Sequence, residues 1–348
     1  MTIKKNSEFI FLFQATMTNP NGDPDQENKP RMDYETSTLL VSDARRKRDC
    51  RDYLKEKGFK IFVDTLADKK VPMDKMFEQI IDDVLSDGNS LEELRNSCQE
   101  LDYAWILGNN PDEFKKEYEK VRKEKSKKQE YTNFNNILLT KIIKSSLIDI
   151  RLFGSAMAVE GVSRTFTGPV QMNWGYSLHP VELVKSNTIT SIMNDDNSTF
   201  GKKHKVHYAL VAHHGTINKF SAAKTGMTET DLDIFRKALV QGMMNKQTDS
   251  KQGQIPLLYL EIQYAENFDG YLGDLRRFID VDYDEKTAVR NINDLKDIKL
   301  SRLTEVIEEL SSKGYIDKVL AWSDPFINKD IISGMPKYEG IDLWEEIK

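Results

Sequence analysis

Four segments of this chain have the composition of β-strands, and their positions constrain the fold more than any other feature of the sequence. They read "EFIFLFQATM", "TGPVQMNWGYSL", "KVHYALVAHHG" and "PLLYLEIQYA", and they lie at 8–17, 167–178, 205–215 and 256–265. The first segment is apolar at nearly every position, which is typical of a central strand that is buried on both faces. The sequence therefore predicts a sheet with residues 8–17 in its interior.

Helix signals lie between the first and second strand segments and between the third and fourth. Ser42 has the character of an N-cap before "DARRKRDCRDYLKEKG", a helix that is expected to end at Gly58. Thr228 begins a second helix, with Asp231 completing a variant of the capping box. The order strand, helix, strand, strand, helix, strand predicts an α+β fold with a ferredoxin-like, RRM-like palm. Many functions use this fold, so the order by itself does not identify one.

Two insertions and an extension interrupt this order. Residues 59–147 are rich in helical patterns and lysine, and they predict a helical insertion. Residues 177–205 contain β-prone segments around an "NDDN" turn, which predicts a protruding hairpin. Residues 291–348 are interpreted as a C-terminal helical extension, with a helix that ends at Gly314. The three parts of the palm are then 1–58, 148–176 and 206–290.

Composition limits the compartment and the class of protein. The chain has 348 residues, a net charge of −6 and 30% charged residues, so the core is small relative to the surface, as in an assembly subunit. Two cysteines, Cys50 and Cys98, give neither a disulfide framework nor a Cys-rich zinc site. No apolar stretch approaches the roughly 20 residues that span a bilayer, and the N-terminus lacks a signal-peptide pattern. We expect a cytoplasmic protein without membrane association.

The beginning of the first helix is unusually basic. Four cations follow Ser42 within about a turn: Arg45, Arg46, Lys47 and Arg48. The helix dipole disfavours cations at this end by roughly 0.3–1 kcal/mol each, whereas the free N–H groups of a helix start attract anions. One interpretation is a phosphate-binding site. The other is a solvated helix face with Arg45–Asp49 and Arg48–Asp52 ion pairs, and spacing alone leaves both open.

The loop 17–33 precedes this helix and is acidic. Its carboxylates could bind Mg²⁺ and support a nuclease; they are Asp23, Asp25, Glu27 and Asp33. However, "NPNGDPD" consists of turn-forming pairs such as Asn-Gly and Asp-Pro, and the spacing does not match the EF-hand pattern. We therefore predict a structured loop without a metal.

The histidines and the known catalytic motifs point to no enzyme. Four histidines lie on or beside one strand, with His179 near in sequence: His204, His207, His213 and His214. Alternation places His207 and His213 on one face of the strand and His214 on the other. No HExxH motif or cysteine pair accompanies them, so we interpret this as a strand that faces nucleic acid and expect no zinc. The chain contains no GxSxG motif and no Walker A motif.

Two stretches of the sequence resemble a known family. "NPNGDPDQENKPRMDYET…VSDARRKRDCRDYL" and "DIRLFGSAMAVEG…TGPVQMNWGYSLHPVE" are similar to the backbone subunits of type I CRISPR Cascade complexes, which belong to the repeat-associated (RAMP) superfamily. Type I-B and I-C relatives are the most similar. The resemblance covers about 8–58 and 147–265, and it includes little of the helical insertion or of the C-terminal part.

The resemblance implies a hand-shaped, non-catalytic, RNA-binding subunit without cofactors. The insertion 59–147 corresponds to fingers, and the hairpin 177–205 corresponds to a thumb. Several copies stack head to tail along one CRISPR RNA (crRNA) and present it for pairing with target DNA. The other implied partners are a five-type cap subunit, a large subunit and, transiently, a helicase-nuclease, in a ribonucleoprotein of antiviral defence.

The resemblance also suggests which residues contact the guide. Those expected to bind RNA are Asn19, Asn21, Arg45, Arg46, Lys47, Arg48, Arg51, Gln171, Lys202, Lys203, His204 and Lys205. An apolar thumb residue would wedge between bases, and the candidates are Ile192, Met193 and Phe200.

Two other functions remain open at this point. Type III members of the superfamily carry an aspartate in the corresponding loop and cut RNA, so Asp23, Asp25 or Asp33 could belong to a Mg²⁺-dependent endoribonuclease. A stand-alone RRM-like module would instead bind short RNA as a monomer and form no arrays.

Overall fold

The structure, a computed structural model, describes most of the chain outside the insertion predicted at 59–147. The described residues are 1–63, 146–159, 162–192, 198–327, 331, 332 and 334–347, with single positions between 79 and 141. The fingers therefore remain a prediction that falls mostly outside the described residues. The chain divides into two compact units, the smaller formed by residues 1–2, 58–169 and 220–231 and the larger by 3–57, 170–219 and 232–348. Among the described helices, none has the length and apolar character needed to cross a membrane.

The first strand lies inside the main sheet of the larger unit. Strand β1, Ser7–Thr18, pairs antiparallel with β12, Val206–Ile217, on one side and with β13, Gln254–Tyr264, on the other. The five residues from Phe9 to Phe13 are fully buried. The prediction of a central strand covered on both faces is confirmed.

Within the described residues the main sheet has nine strands in a mixed α/β arrangement. Along the sheet the order is β17, β16, β13, β1, β12, β9, β5 and β4, and β8 also pairs with β12. Only β16 and β17 pair in parallel; the other neighbours described here are antiparallel. The bounds are Met32–Asp33 for β4, Thr38–Val41 for β5, Val170–Met172 for β8, Gly175–Ser177 for β9, Ile316–Ser323 for β16 and Tyr338–Gly340 for β17.

The segment predicted as one strand at 167–178 is not continuous. Thr167 ends the strand β7, Val162–Thr167, and two shorter pieces of the segment form β8 and β9. The breaks fall at Gly168–Pro169 and at Asn173–Trp174, because proline donates no ladder hydrogen bond and Trp174 turns outward.

Two long helices accompany the sheet. Helix α1, Asp43–Glu56, begins at Ser42, whose hydroxyl accepts from the Arg45 amide at 3.3 Å. Helix α4, Glu229–Asn245, follows the short helix α3, Lys219–Thr225. The Asp231 amide donates to the Thr228 hydroxyl at 3.1 Å, and the Thr228 amide donates to the Asp231 carboxylate at 2.9 Å. Both predicted caps are therefore confirmed.

The helices α1 and α4 cover the sheet face that carries the odd-numbered residues of β1. The rings of Phe9 and Phe235 meet edge to face at 5.7 Å. The helices also approach each other closely, because a side chain at Gly242 would lie 2.9 Å from the carbonyl oxygen of Asp49. The start of α1 is thereby held near the end of β1, which is where the basic residues lie.

The opposite face of the sheet is covered by C-terminal elements. Ile10, Leu12 and Leu260 pack in one core with Leu303 and Ile307 of α5, Ser301–Ser312. The short hairpin of β14, Asp280–Tyr283, and β15, Leu295–Lys299, contributes to the same core. Residues 291–348, predicted as a helical extension, contain α5 but also β15, β16 and β17. The apolar run "IDKVLAWS" forms β16 because it completes the ladder of β13.

A buried ion pair joins α4 to the sheet. Arg236 donates from Nε and Nη2 to the two oxygens of Glu261, at 2.7 and 2.9 Å. The Tyr259 hydroxyl also donates to Glu261, at 2.7 Å. Burial by itself raises the pKa of Glu261, but the charge and hydrogen bonds of Arg236 outweigh it, so the pKa lies below its ordinary value. The pair is therefore ionised, and it fixes the helix on the sheet.

The smaller unit contains a hairpin next to a short helix. Helix α2 is Ile148–Phe153, and the hairpin is formed by β6, Gly154–Val159, and β7, Val162–Thr167. Gly168 packs against the backbone of Phe153 and Gly154, leaving no space for a side chain. Arg151 binds Asp231 with two hydrogen bonds of 3.0 and 2.7 Å. The motifs "LFG" and "TGP" are thus brought together by the pairing of this hairpin.

A second hairpin lies where the thumb was predicted. Strand β10, Thr188–Ile192, pairs antiparallel with β11, Ser198–Lys202, and Thr190 lies opposite Phe200. Ile192 is the last residue of β10, and Phe200 is in the middle of β11. Met193 and the "NDDN" turn lie outside the described residues. The structure shows the β10–β11 pairing, and both the thumb and the identity of a wedge residue stay predictions.

Candidate nucleic-acid interface

The start of α1 is tied to the acidic loop through Asn21. The Ser42 amide donates to the Asn21 side-chain oxygen at 2.7 Å. The Arg31 amide in turn donates to the Asn21 carbonyl at 3.0 Å, and the Leu40 amide donates to the Arg31 carbonyl at 2.8 Å. Asn21 therefore fixes the positions of the loop, the edge strand β5 and the helix start relative to one another.

The acidic loop is structured, as predicted. Strand β2, Gly22–Asp23, pairs with β3, Lys29–Pro30, and the turn between them passes through Glu27 and Asn28 at φ of 52° and 59°. The buried Asn19 donates its side-chain amide to the Asn28 carbonyl at 2.8 Å. Both asparagines predicted to contact RNA thus have partners inside the protein.

The aspartates of this loop have local partners as well. Asp23 accepts from the Asp25 amide at 3.2 Å and pairs with Arg31 at 3.3 Å. Asp33 accepts from the Thr36 hydroxyl at 2.7 Å and from the Glu35 amide at 3.1 Å, and these bonds lower its pKa. In the part of the chain that the structure describes, no three His, Cys, Asp or Glu side chains are grouped so that they could hold a metal ion.

The cations of α1 pair with acids one turn away. The pairs Arg45–Asp49 and Arg48–Asp52 form as the spacing predicts, and Lys47 binds Asp43 at 2.8 Å. The Arg48 side chain is 34% exposed and that of Arg45 17%. Arg51 lies half-buried on the same helix. These pairs favour neither interpretation of the helix start, since a bound phosphate could compete with each carboxylate.

Arg46 differs from its neighbours because its side chain is buried. Its guanidinium lies 4.9 Å from the centre of the Phe13 ring, donates to Gln254 at 3.0 Å and pairs with Asp49 at 3.2 Å. Burial lowers its pKa to about 10, against the opposing effect of Asp49. Its Nε and Nη1 atoms find no hydrogen-bond acceptor among the described residues. This arginine contributes charge from inside the protein rather than a surface contact.

Two lysines of the loop after α4 join this region, and the sequence did not single them out. Lys246 pairs with Asp52 of α1. Burial, together with the charge of Arg45, lowers the pKa of Lys251 to about 8. The same loop is bound to the end of β1, where the Asn19 amide donates to the Ser250 carbonyl at 3.0 Å. We call Arg45, Lys246 and Lys251 the basic cluster.

The lysines at the base of the second hairpin lie beside acids of the two loops. Lys202 binds Glu27 at 3.3 Å, and Asp249 lies 2.9 Å from Lys203 and 3.8 Å from Lys205. The hydrogen bond from Lys202 lowers the pKa of Glu27, and the bond from Lys203 lowers that of Asp249. The structure therefore places the hairpin base next to the acidic loop and to the loop that carries the basic cluster.

The histidines of β12 are mostly interior. His213 is fully buried and His214 is 4% exposed, so the expectation that they face nucleic acid is wrong. They do lie on opposite faces of the sheet: His213 stacks on Phe13 at 6.0 Å, and His214 accepts from the Leu275 amide at 3.4 Å. Burial and the charge of Arg46 lower the pKa of His213 to about 3, so its ring is neutral. His204, at the hairpin base, contacts Asn187 at 3.0 Å.

Gln171 lies apart from the other predicted residues. It is opposite Thr216 in the β8–β12 pair, whereas the hairpin base joins β12 at Val206. Ten residues of strand separate these positions, which corresponds to roughly 33 Å. A phosphate bound at the hairpin base would therefore not reach Gln171.

Comparisons with known proteins agree on one family. The family model for CRISPR-associated protein Cas7 matches residues 5–301. A protein of Haloferax volcanii described as CRISPR-associated protein Cas7 is 25% identical over 355 aligned positions, covering 95% of this chain and 90% of that protein. A chain in a solved CRISPR RNA-guided surveillance complex, pre-nicking, superposes with a TM-score of 0.54 and 14% identity, covering 97% of each chain. At this identity the structural likeness shows the fold alone.

Proposed function

Because the chain belongs to the Cas7 family, we propose that it is a non-catalytic backbone subunit of a CRISPR surveillance complex that binds crRNA through the basic cluster. Copies add head to tail along the guide, as a contact between two different surfaces allows. The sheet order β13, β1, β12, β9, with α1 and α4 on one face, supports a ferredoxin-like palm. The β10–β11 hairpin would serve as the thumb. The remaining partners in this proposal are a cap subunit, a large subunit, target DNA paired to the guide and a transient helicase-nuclease, all in the cytoplasm.

The observation that carries the proposal is the grouping of Arg45, Lys246 and Lys251 beside α1. A lysine titrates near pH 8 only where its charge is poorly compensated, and Lys251 is half-buried beside Arg45. A phosphate in this position would relieve that repulsion without reading the base. The cluster lies beside the N-terminal part of α1, where amide groups also favour anions. Such a site suits a protein that must accept any guide sequence.

The double variant Arg45→Gln/Lys251→Gln is expected to lose most of its affinity for single-stranded RNA. Each lost phosphate contact reduces the slope of log K against log salt by about 0.7. If the variant and the wild type bind equally at 1 M salt, the loss of two contacts makes the variant bind about 25-fold more weakly than the wild type at 0.1 M salt. Fluorescence anisotropy across a salt series measures both quantities. The matched control is Lys313→Gln/Lys318→Gln, which removes the lysine that follows α5 and a half-buried lysine of β16.

The same variants can be examined as purified from cells. We expect the wild type and the control to be RNA-bound oligomers, with the mass and the ultraviolet absorbance ratio typical of a nucleic-acid complex. We expect the double variant to be a protomer without RNA. Equal RNA content in the wild type and the double variant would contradict the proposal. Short RNA bound only by monomers would favour a stand-alone RNA-binding module.

RNA affinity is expected to fall between pH 7 and pH 9. In the RNA-free protein Lys251 loses its proton as the pH rises through about 8, and a bound phosphate restores the proton. Binding above pH 8 must therefore return one proton to Lys251, and this requirement lowers the affinity by up to about tenfold between pH 7 and pH 9. In Lys251→Arg the charge persists, so we expect a nearly flat profile in the same titration. A wild-type profile as flat as that of the variant would show that Lys251 is not at the phosphate site.

No catalytic step is included in the proposal. Asp23 and Asp33 accept hydrogen bonds within their own loop, which supports a role in shaping it. Incubation with complementary RNA and Mg²⁺ tests this directly. Cleavage by the wild type that is lost in Asp33→Ala would establish the endoribonuclease alternative.

A further inference from the structure

Trp174 is an exposed aromatic side chain on the loop between β8 and β9. It is 46% exposed, although Trp322 in the same sheet is 6% exposed. An exposed tryptophan offers a large, flat apolar surface on which another ring can stack.

The backbone on both sides of Trp174 is held by buried groups. The Asn173 amide donates to the His214 carbonyl at 2.8 Å, and the Asn173 carbonyl accepts from the His213 ring at 3.1 Å. The Trp174 carbonyl accepts from Arg276 at 2.6 Å. Arg276 is itself 7% exposed, and it stacks on Tyr176 at 4.2 Å. The protein thus holds the indole at the surface with a rigid support.

A second planar group lies beside the indole. The Arg31 guanidinium is 5.7 Å from the centre of the Trp174 ring and keeps its ion pair with Asp23. Aromatic rings and arginine guanidinium planes both stack on nucleobases. The positive charge also complements the phosphates of a nucleic acid, whereas it would oppose a basic protein surface.

This platform adjoins the start of α1. Gly175, the residue after Trp174, pairs with Val41, the residue before the N-cap Ser42, and paired strands lie about 5 Å apart. Arg31 is joined to the same helix start through Asn21. An RNA strand that places phosphates near the helix start can therefore extend a base toward the indole.

We propose that Trp174, with Arg31 beside it, is a stacking site for one unpaired nucleobase of the bound RNA. The inference rests on the proposed function, since it places one base of the same RNA. Stacking tolerates every base because each has a π-face, so the site is compatible with guides of any sequence.

The test compares RNA with an abasic ribose-phosphate chain of the same length. The full chain, freed of nucleic acid at high salt, is titrated with each probe as wild type, Trp174→Ala, Trp174→Leu and Trp174→Phe. We expect Trp174→Ala and Trp174→Leu to bind RNA about 5- to 150-fold more weakly and to bind the abasic chain as the wild type does. Trp174→Phe retains most of the affinity. The control Trp344→Ala changes another half-exposed tryptophan and is expected to alter neither titration.

Each other outcome overturns the inference. Wild-type affinity for RNA in Trp174→Ala and Trp174→Leu would remove the stacking site and leave the proposed function intact. An equal loss for RNA and abasic chain would mean that the residue only supports the phosphate surface. If Trp174→Ala changed the mass of the RNA-free protein but still bound RNA more tightly than the abasic chain, the indole would belong to a contact between copies of the chain. No binding of RNA by the wild type would overturn the proposed function as well.

Discussion

Replacement of Glu261 by glutamine is expected to lower the free energy of unfolding by roughly 3–5 kcal/mol. The change leaves Arg236 as a buried cation without its counter-charge, and removal of one partner from a buried pair has this cost. The Tyr259 hydroxyl also loses a charged acceptor. Urea unfolding monitored by circular dichroism measures the difference.

Two controls identify the charge pair as the cause. The double variant Arg236→Met/Glu261→Leu replaces both groups by apolar side chains, and we expect it to recover most of the loss, because the desolvation cost disappears with the charges. Glu339→Gln breaks the exposed pair with Lys318 and is expected to cost less than about 1 kcal/mol. If Glu261→Gln were as mild as Glu339→Gln, the buried pair would not stabilise the fold.

The pair also predicts a pH dependence. Because the pKa of Glu261 is lowered in the folded state, its contribution to stability is complete above the ordinary glutamate pKa. That contribution is lost as the pH falls through the lowered pKa. The free energy of unfolding of Glu261→Gln should therefore change less than that of the wild type over this acid range.

Gly168→Ala is expected to destabilise the smaller unit by roughly 3 kcal/mol or more. The new Cβ atom would lie 2.1 Å from the carbonyl carbon of Phe153 and 2.4 Å from the amide nitrogen of Gly154, so backbone rather than a flexible side chain must move. Limited proteolysis of the β6–β7 hairpin and thermal unfolding measure the effect. Gly340→Ala is the control, because its Cβ would meet only the end of the Tyr338 side chain, whose hydroxyl lies 3.2 Å away. Equal behaviour of the two variants would show that the hairpin can separate from α2 without cost.

Local patterns were sufficient to predict the parts of this fold that depend on neighbours in sequence. The continuous apolar run of β1 predicts burial on both faces, and the caps at Ser42 and Thr228 depend on residues within one turn. The ion pairs of α1 follow from their i,i+4 spacing in the same way.

The parts that were missed depend on tertiary contacts. Arg46 was grouped with surface cations, yet it shares the buried face of α1 with Cys50 and Tyr53, four and seven residues later. That spacing is a helical stripe, and it is the signal that could have identified the burial. Lys251 has no such signal, because its low pKa arises from burial in the fold and, secondarily, from the charge of Arg45, which is distant in sequence. The burial of His213 and His214 likewise depends on α1 and the Leu275 segment packing over them, and the residues adjacent to them in sequence do not indicate this packing.

The position of β1 affects how the chain can fold during synthesis. This strand leaves the ribosome before both of its partners, β12 and β13, which follow only after about two hundred further residues. At about 5–20 residues per second, the ribosome needs roughly 10 to 50 seconds to complete both partners. During that time an apolar, β-prone segment lacks its ladder on either side, which is a condition that favours aggregation. Slowing translation before residue 254 should therefore lower the soluble yield, and a chaperone that covers residues 7–18 should restore it.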